Sequence, residues 1–332
     1  MRILVTGGAG YIGSHAVRFF LSRGHDVWVF DNLSTGHLAA VPAERLIIGD
    51  LSETPRLDQT LMTHGIEAVV HFAAFALVGE SVRQPAKYYQ NNLVNTLNLM
   101  ECLRRHAIWR FVFSSTCATY GIPLQVPITE QEPQKPINPY GMGKMMVERA
   151  LADYASAYQW SYATLRYFNA AGANTDGTLG EDHDPETHLI PLVLQTALGR
   201  RPHIEIYGTD YPTPDGTCIR DYIHVNDLAE AHLLALECLQ PGMEYRYNLG
   251  TGKGYSVREV VRVAEETTGK SIPVKEGPRR QGDPPVLIAD SEKVQRELHW
   301  QPRYPDLHSI IETAWRWHRT HPDGYKERKD KG

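Results

Sequence analysis

Tyr140 and Lys144 lie four residues apart in Asn138-Pro139-Tyr140-Gly141-Met142-Gly143-Lys144. On a helix that spacing puts both side chains on one face. An ammonium beside a phenol favours the phenolate, so Lys144 is expected to lower the pKa of Tyr140. A tyrosine tuned in this way can take a proton from an alcohol near neutral pH. The spacing is not specific, because Tyr325 and Lys329 repeat it in a charged tail where an accidental match is the expected reading. Context separates the two pairs. Tyr140 follows a segment ending in hydroxyls, Ser114-Ser115-Thr116, and lies downstream of a complete nucleotide-binding pattern.

That pattern is the turn Thr6-Gly7-Gly8-Ala9-Gly10-Tyr11-Ile12-Gly13. It follows the apolar run Arg2–Thr6 and opens the helical pattern Ile12–Arg23. Glycines there let main-chain amides approach a pyrophosphate at a helix N-terminus, where a side chain would block the approach. The strand before and the helix after are the context such a turn requires. Asp31 ends the second apolar run, where a carboxylate can accept hydrogen bonds from both ribose hydroxyls of adenosine and would repel a 2′-phosphate. No Arg or Lys follows in Asn32–Gly36, so NAD is expected rather than NADP. Asp50, after Ile48-Gly49, is a candidate for the adenine end, or else a cap.

The elements that must position these residues alternate. Arg2–Thr6, Asp26–Phe30, Leu46–Ile48, Ala68–Phe72, Phe111–Ser114 and Tyr162–Phe168 read as strands. Ile12–Arg23, roughly Pro85–His106 and Gly141–Tyr158 read as helices. Continuous apolar strands between helices predict an α/β fold, a Rossmann-type doubly wound parallel sheet. After about Ala170, Gly, Pro and Asp become frequent and the alternation loosens. The expected organisation is a dinucleotide-binding domain over 1–170 and a smaller C-terminal α/β substrate domain over 171–325. Segments near 220–240 return to the first domain, because Ile223–Cys238 is a strong strand-then-helix pattern. The tail Tyr325–Gly332 is expected to be disordered, residues 326–332 above all.

The 332 residues are 42% hydrophobic and 22% charged, an ordinary globular composition. A net charge of −5 gives no global field for nucleic acid. Cys102, Cys117, Cys218 and Cys238 are too sparse for a disulfide scaffold, which fits a reducing cytoplasm. The apolar run after Met1-Arg2 is broken by glycines, so it does not read as a signal peptide, and no stretch approaches a membrane span.

The turn Thr6–Gly13, the segment Phe113–Gly121 and the Tyr140/Lys144 pair resemble the extended short-chain dehydrogenase/reductase superfamily and, within it, the 4-epimerases of UDP-hexoses. The similarity runs from Met1 to about Tyr325. It includes His71-Phe72-Ala73-Ala74, Val78-Gly79-Glu80-Ser81, Tyr88–Asn92, Leu165–Asn169, Tyr207–Gly216, Arg220–Val225, Tyr247–Gly252 and Pro278–Asp283. Related 4,6-dehydratases resemble each other in an Asp-Glu pair after the Thr, and related decarboxylases in a nearby Glu. Here Thr116 is followed by Cys117-Ala118, which supply no carboxylic acid/base pair for elimination.

The resemblance implies the following chemistry. Tyr140 accepts the proton of the sugar 4-hydroxyl while hydride passes from C4 to NAD. Thr116 hydrogen-bonds the reacting oxygen, and Lys144 holds the nicotinamide ribose and tunes Tyr140. The 4-keto sugar rotates about its diphosphate linkage, and hydride and proton return on the other face. The cofactor carries the hydride chemistry and need not leave between turnovers. The resemblance also assigns cofactor contacts to Gly7, Gly10, Tyr11, Ile12, Gly13, Asp31, Asn32, Asp50, Leu51, Phe72, Ala73, Ala74, Asn91, Ser114 and Tyr167. On the UDP-sugar side it assigns Asn169, His188, Leu189, Tyr207, Arg220, Arg280, Asp283 and Leu287. Arg220 and Arg280 suit a diphosphate, since a planar guanidinium matches phosphate oxygens. Structural alternatives stand beside these roles: an Arg220–Asp221 ion pair, a solvated Arg279-Arg280 loop, a helix-internal amide at Asn91. A homodimer is implied, packing the helices near Pro85–His106 and Gly141–Tyr158 into a four-helix bundle.

Two positions depart from the family pattern. Members often carry a Lys shortly after His71-Phe72-Ala73, where this chain has Ala76. The position gating the sugar pocket is Leu287, neither the large aromatic of a pocket closed to N-acetyl sugars nor the small residue of an open one. UDP-galactose/UDP-glucose is the expected substrate pair, with UDP-N-acetylhexosamines and UDP-xylose/UDP-arabinose left open. Other sugar-nucleotide oxidoreductases or dehydratases, and an NAD-binding regulator without catalysis, are the competing functions. Glu181, Asp182, His183, Asp184, Glu186 and His188 cluster in sequence, but their spacing matches no standard ligand pattern, so no metal is expected.

Overall fold

The computed structural model describes residues 1–280 and 282–325. In chain order the first half comprises β1 (Arg2–Thr6), α1 (Tyr11–Ser22), β2 (Asp26–Asp31), β3 (Leu46–Ile48), α2 (Thr54–Thr63) and β4 (Ala68–His71). It continues with α3 (Val78–Arg83), α4 (Pro85–Tyr88), α5 (Asn95–Arg105), β5 (Arg110–Thr116), α6 (Pro139–Tyr158) and β6 (Ser161–Tyr167). The long helix expected over 85–106 is interrupted by a π-helical turn at Tyr89–Val94, a widening found mostly at functional sites.

The second half runs β7 (Asn169–Ala171), α7 (Leu189–Ala197), β8 (Ile204–Tyr207), β9 (Ile219–His224), α8 (Val225–Glu237) and β10 (Glu244–Leu249). It ends with β11 (Gly254–Ser256), α9 (Val257–Thr268), β12 (Val274–Gly277), β13 (Val286–Leu287), α10 (Glu292–Leu298) and α11 (Leu307–Thr320).

Seven strands form one parallel sheet in the order β10-β6-β5-β4-β1-β2-β3. Its strands alternate between two buried faces. Ile3, Val5, Val27, Val29, Val70 and Val112 pack with α1 and α8, while Leu4, Phe30, Val69, Phe111 and Phe113 pack with α2, α5 and α6. Burial on both faces explains why these strands read as continuous apolar runs. β10 was not expected from the sequence. Its Glu-Tyr-Arg-Tyr start is polar because it forms the sheet edge, where one flank lacks a strand.

β9 pairs with β7, β11 and β13 in a second, smaller sheet, and β8 pairs with β12. The segment after β9 divides its allegiance: α8 packs against α1, β5 and β6 of the large sheet. A separate core of Ile190, Val193, Leu194, Val260, Ile310 and Ile311 joins α7, α9 and α11. Tyr325, read as the first residue of the tail, is instead buried: its N–H donates to Asp182 at 2.9 Å and its ring packs on Trp317 and His37. Residues 326–332, including Lys329, lie outside the described residues. Among the described residues, no helix is long and apolar enough to cross a membrane.

Candidate active site

β1 sits between β2 and β4, so the direction of strand addition reverses at its carboxyl end. Open α/β sheets bind ligands in that crevice. Here it opens into a cavity of about 1000 Å³. Thr116, Tyr140 and Lys144 line it. So do Gly7, Gly10, Tyr11, Ile12, Gly13, Asp31, Asn32, Asp50, Leu51, Phe72, Ala73, Ala74, Asn91 and Tyr167. Residues expected on the substrate side line the same space: Asn169, His188, Leu189, Tyr207, Arg220, Arg280, Asp283 and Leu287. Ser114 is the exception. It is buried beneath the cavity wall and reaches it only through partners, donating from Oγ to the Tyr167 hydroxyl at 3.0 Å.

The glycine turn is built by close approach. Gly7 has φ +72°, and a Cβ there would lie 2.4 Å from the Ala73 nitrogen. A Cβ on Gly13 would lie 2.2 Å from the Gly7 carbonyl oxygen, so α1 can start this close to β1 only with glycine. Gly10 caps α1 with no side-chain hydrogen bond, leaving the first amides of that helix without a side-chain acceptor. A side chain at Gly10 would meet only the Gly7 carbonyl at 3.4 Å, and Gly10 lines the cavity. Behind the turn, His71 bridges the hydroxyls of Thr6 (2.6 Å) and Thr96 (2.9 Å), joining β1, β4 and α5. Asp31 accepts from the main-chain N–H of Ala9 (2.9 Å) and Leu33 (2.8 Å), which fixes its carboxylate at the cavity wall. Burial raises its pKa, and those two bonds oppose the rise. A helix N-terminus free of a side-chain cap, a glycine bordering open space and a fixed carboxylate at the next strand end together fit a dinucleotide.

The Asn138 side chain caps α6, accepting from the Gly141 N–H at 2.8 Å, so Tyr140 and Lys144 fall in its first turns. Pro139 at the start of that helix costs no hydrogen bond there. Lys144 Nζ donates to the Ser114 carbonyl at 2.7 Å and lies 4.8 Å from the centre of the Phe113 ring. Thr116 ends β5 and accepts from the Ala118 N–H at 3.1 Å. The expectation that Lys144 lowers the Tyr140 pKa is not met. Burial raises Tyr140 well above the ordinary phenol value, with Tyr167 adding to the rise and Thr116 opposing it. Burial also pushes Lys144 down to about 7, with Glu148 opposing, so the ammonium is itself weakened.

Among the residues expected to hold substrate, the alternation of β9 decides between the structural alternatives. Asp221 points away from the cavity into full burial, accepting from Thr251, Gly252 and Ala289. Arg220 therefore pairs with Asp283 across the cavity wall rather than with its sequence neighbour. Arg279 and Arg280 also part: Arg279 binds Asp210 at 2.6 Å, while Arg280 stacks over the Tyr207 ring at 4.0 Å. Asn169 donates to the Asp221 carbonyl at 2.9 Å, which links β7 to β9. Asn91 lies in the π-helical turn and donates to Asn92, whose side chain in turn holds the main chain of Phe75.

Sequence reasoning missed Cys218 and Tyr222, which line the cavity on either side of Arg220. The two-residue period of a strand was the available signal, because 218, 220 and 222 share one face. It also missed Leu77, Val78 and Glu80, where only the turn into α3 brings the chain back to the cavity.

Residues 3–250 match the NAD dependent epimerase/dehydratase family. The UDP-glucose 4-epimerase of Halalkalibacterium halodurans is 53% identical over the full length of both chains. The chain belongs to the UDP-glucose 4-epimerase family. Members of this NAD-dependent enzyme family share its structure as well. The UDP-glucose 4-epimerase of Brucella ovis, solved in complex with NAD, is 50% identical, with a TM-score of 0.92 over 98% of each chain. That of Bifidobacterium longum, in complex with NAD+ and UDP, is 37% identical, with a TM-score of 0.93 over 98% of this chain and 100% of that one.

Proposed function

We propose that the protein interconverts UDP-galactose and UDP-glucose by inverting C4 through a transient 4-keto sugar. The observation that carries this reading is that Thr116 and Tyr140 line the same cavity, with Cys117-Ala118 rather than carboxylates following Thr116. Proton transfer at an alcohol is then possible, and acid/base elimination lacks its groups. NAD, when bound, supplies the hydride acceptor and donor. In this reading the first amides of α1 hold its pyrophosphate, Asp31 its adenosine ribose and Lys144 its nicotinamide ribose. Tyr140 takes the C4 hydroxyl proton and returns one to the keto oxygen once the sugar has turned its other face, while Thr116 orients that oxygen. Burial makes Tyr140 a poor base by itself, and a protonated Lys144 is the chain's own source of compensating positive charge. Arg220 and Arg280 neutralise the diphosphate, and Asp283 binds the uridine ribose.

The reading includes a cytoplasmic homodimer. Val82 on α3, Val94 at the end of the π-helical turn and Met146 on α6 are exposed, and α3 and that turn both pack against α6, which supports an apolar surface for a two-fold helix bundle. Incubating the protein separately with UDP-galactose, UDP-N-acetylgalactosamine and UDP-xylose, then resolving products, tests the activity. A UDP-glucose/UDP-galactose mixture without net NADH is expected. Net formation of a keto sugar, or NAD retained with no interconversion of any UDP-sugar, would overturn it.

A further inference from the structure

We propose that Glu181, His183, Glu186 and His188 form a binding site for one divalent transition-metal ion, with Zn²⁺ the best fit. The sequence spacing fits no standard pattern, but the loop before α7 folds so that one donor atom from each residue lies within 4.8 Å of all the others. A tetrahedral zinc with ligand bonds of about 2.0–2.2 Å needs donors about 3.3–3.6 Å apart. His183 Nδ1 lies 3.3 Å from Glu181 Oε1 and 3.6 Å from Glu186 Oε2, while His188 Nδ1 lies 3.7 Å from the other Glu186 oxygen, Oε1, so the two Glu186 oxygens face one imidazole each. The His188–Glu181 pair is closer still and must open to admit an ion.

Charge and chemistry favour the same class of ligand. Two imidazole nitrogens with two carboxylates are the mixed donors of zinc-type ions, whereas magnesium and calcium take oxygen sets. The Glu181 and Glu186 side chains are 4% and 6% exposed. Two buried carboxylates are costly unless matched; protonated His183 and His188 match them, and one divalent ion bound by the neutral imidazoles replaces those two protons at the same zero sum. The donors are already oriented. Glu186 accepts from the N–H groups of Thr187 (2.7 Å) and His188 (2.9 Å), and the Glu181 carbonyl accepts from Trp317 Nε1 at 3.1 Å. Such outer hydrogen bonds hold ligands in place in metal sites. Entry is open, because the His188 side chain is half exposed and Glu181, His183 and His188 line the large cavity. All four donors come from one eight-residue stretch, so the ion would act as a clip on the loop that leads into α7.

The test uses untagged full-length protein carrying its NAD, stripped with a chelator, dialysed, and titrated with ZnCl₂ by calorimetry. In parallel, CoCl₂ is followed by its visible bands. One ion per chain, a higher Tm with zinc and the strong visible absorption of tetrahedral cobalt are expected. His183→Ala should weaken zinc binding by more than ~100-fold and remove the cobalt bands, because losing even a residue that only hydrogen-bonds a ligand costs about 10–100-fold. NAD content and circular dichroism show whether that variant folds. If it does not, His188→Ala, altered at a half-exposed side chain, must show the same loss. Less than stoichiometric zinc, or equal affinity in the variant, would establish an ion-paired cluster only.

Discussion

Lys144 Nζ donates to the main-chain carbonyl of Ser114 at 2.7 Å, and this bond ties the second turn of α6 to the end of β5. One helical turn later, Glu148 accepts from the Ser115 hydroxyl at 2.6 Å. The two attachments hold the helix carrying Tyr140 in register with the strand carrying Thr116. The roles proposed for Tyr140 and Thr116 need fixing of this kind, since small misplacements lose much of the benefit of orientation.

Tyr140→Phe keeps the ring and its packing but removes the exchangeable proton. Turnover of UDP-galactose should fall by about 10²–10⁴-fold, the usual worth of a positioned acid/base. NAD per chain, read from the absorbance of denatured protein, should stay unchanged. Near-normal turnover would sink the assignment of the base.

Asp31→Ser replaces with a neutral hydroxyl the carboxylate that accepts from the Ala9 and Leu33 amides. A charge-assisted bond is worth about 1.5–3 kcal/mol, so NAD affinity should drop by roughly 10- to 150-fold. The preference over NADP should narrow, because the charge that repels a 2′-phosphate is gone. Competitive titration of both cofactors checks this; an unchanged ratio would contradict the ribose assignment.

Leu287 borders the cavity on β13. Leu287→Tyr should lower turnover of UDP-N-acetylgalactosamine relative to UDP-galactose, and Leu287→Gly should raise it. Rates on both substrates for the three proteins decide the matter. Identical ratios throughout would remove this position from substrate selection.

Arg166 and Glu148 form a buried ion pair, and Arg166 also donates to the Tyr120 hydroxyl at 2.9 Å. Arg166→Met leaves the carboxylate of Glu148 uncompensated, which should cost about 3–5 kcal/mol. Replacing both residues with apolar ones of similar volume should cost much less. Urea denaturation of the single and double variants measures the difference.

Acid should destabilise the fold before it protonates most surface carboxylates. Burial holds His15 and His232 down to about 4, and His71 and His224 to about 3. Unfolded, each would titrate near 6.5, so below that pH the unfolded chain binds more protons and stability falls as pH falls. Each such group contributes about 1.4 kcal/mol per pH unit inside its window. Carboxyls raised by burial, Asp221 and Asp227 to about 6 and also Asp31 and Glu130, act in the opposite direction, but His64 and His318, lowered by burial, join the four histidines. His183 and His188, held above their ordinary range by Glu181 and Glu186 despite burial, oppose the trend only above pH 6.5, so denaturation midpoints at pH 6.5, 5.5 and 5 should decline. A flat series would show that the four histidines are not neutral in the folded state.

Much of the nucleotide half was legible in the sequence, because apolar strands, a glycine turn and helical spacing are local patterns. That Thr116, Tyr140 and Lys144 would border one cavity was legible for the same reason, since they stand at a strand end and on one helix face. The second half was less so. β10 carries polar residues suited to an edge, and Cys218 and Tyr222 declare a shared face only once β9 is known to be a strand. The raised pKa of Tyr140 was hidden, since spacing reports the neighbouring ammonium but not the depth of burial that outweighs it. The gathering of Glu181, His183, Glu186 and His188 depends on a loop conformation that no periodicity encodes.

The position of β10 bears on how the chain is made. The open flank of β6 receives its neighbour only when Glu244–Leu249 has been synthesised, after the whole excursion through β7, α7, β8 and β9. Until Leu249 clears the ribosome, β6 presents an unpaired edge of a hydrophobic parallel sheet, the kind of surface that recruits foreign strands. Translation speed between residues 168 and 249 thus becomes a determinant of yield, and a pause there would lengthen the exposure of that edge.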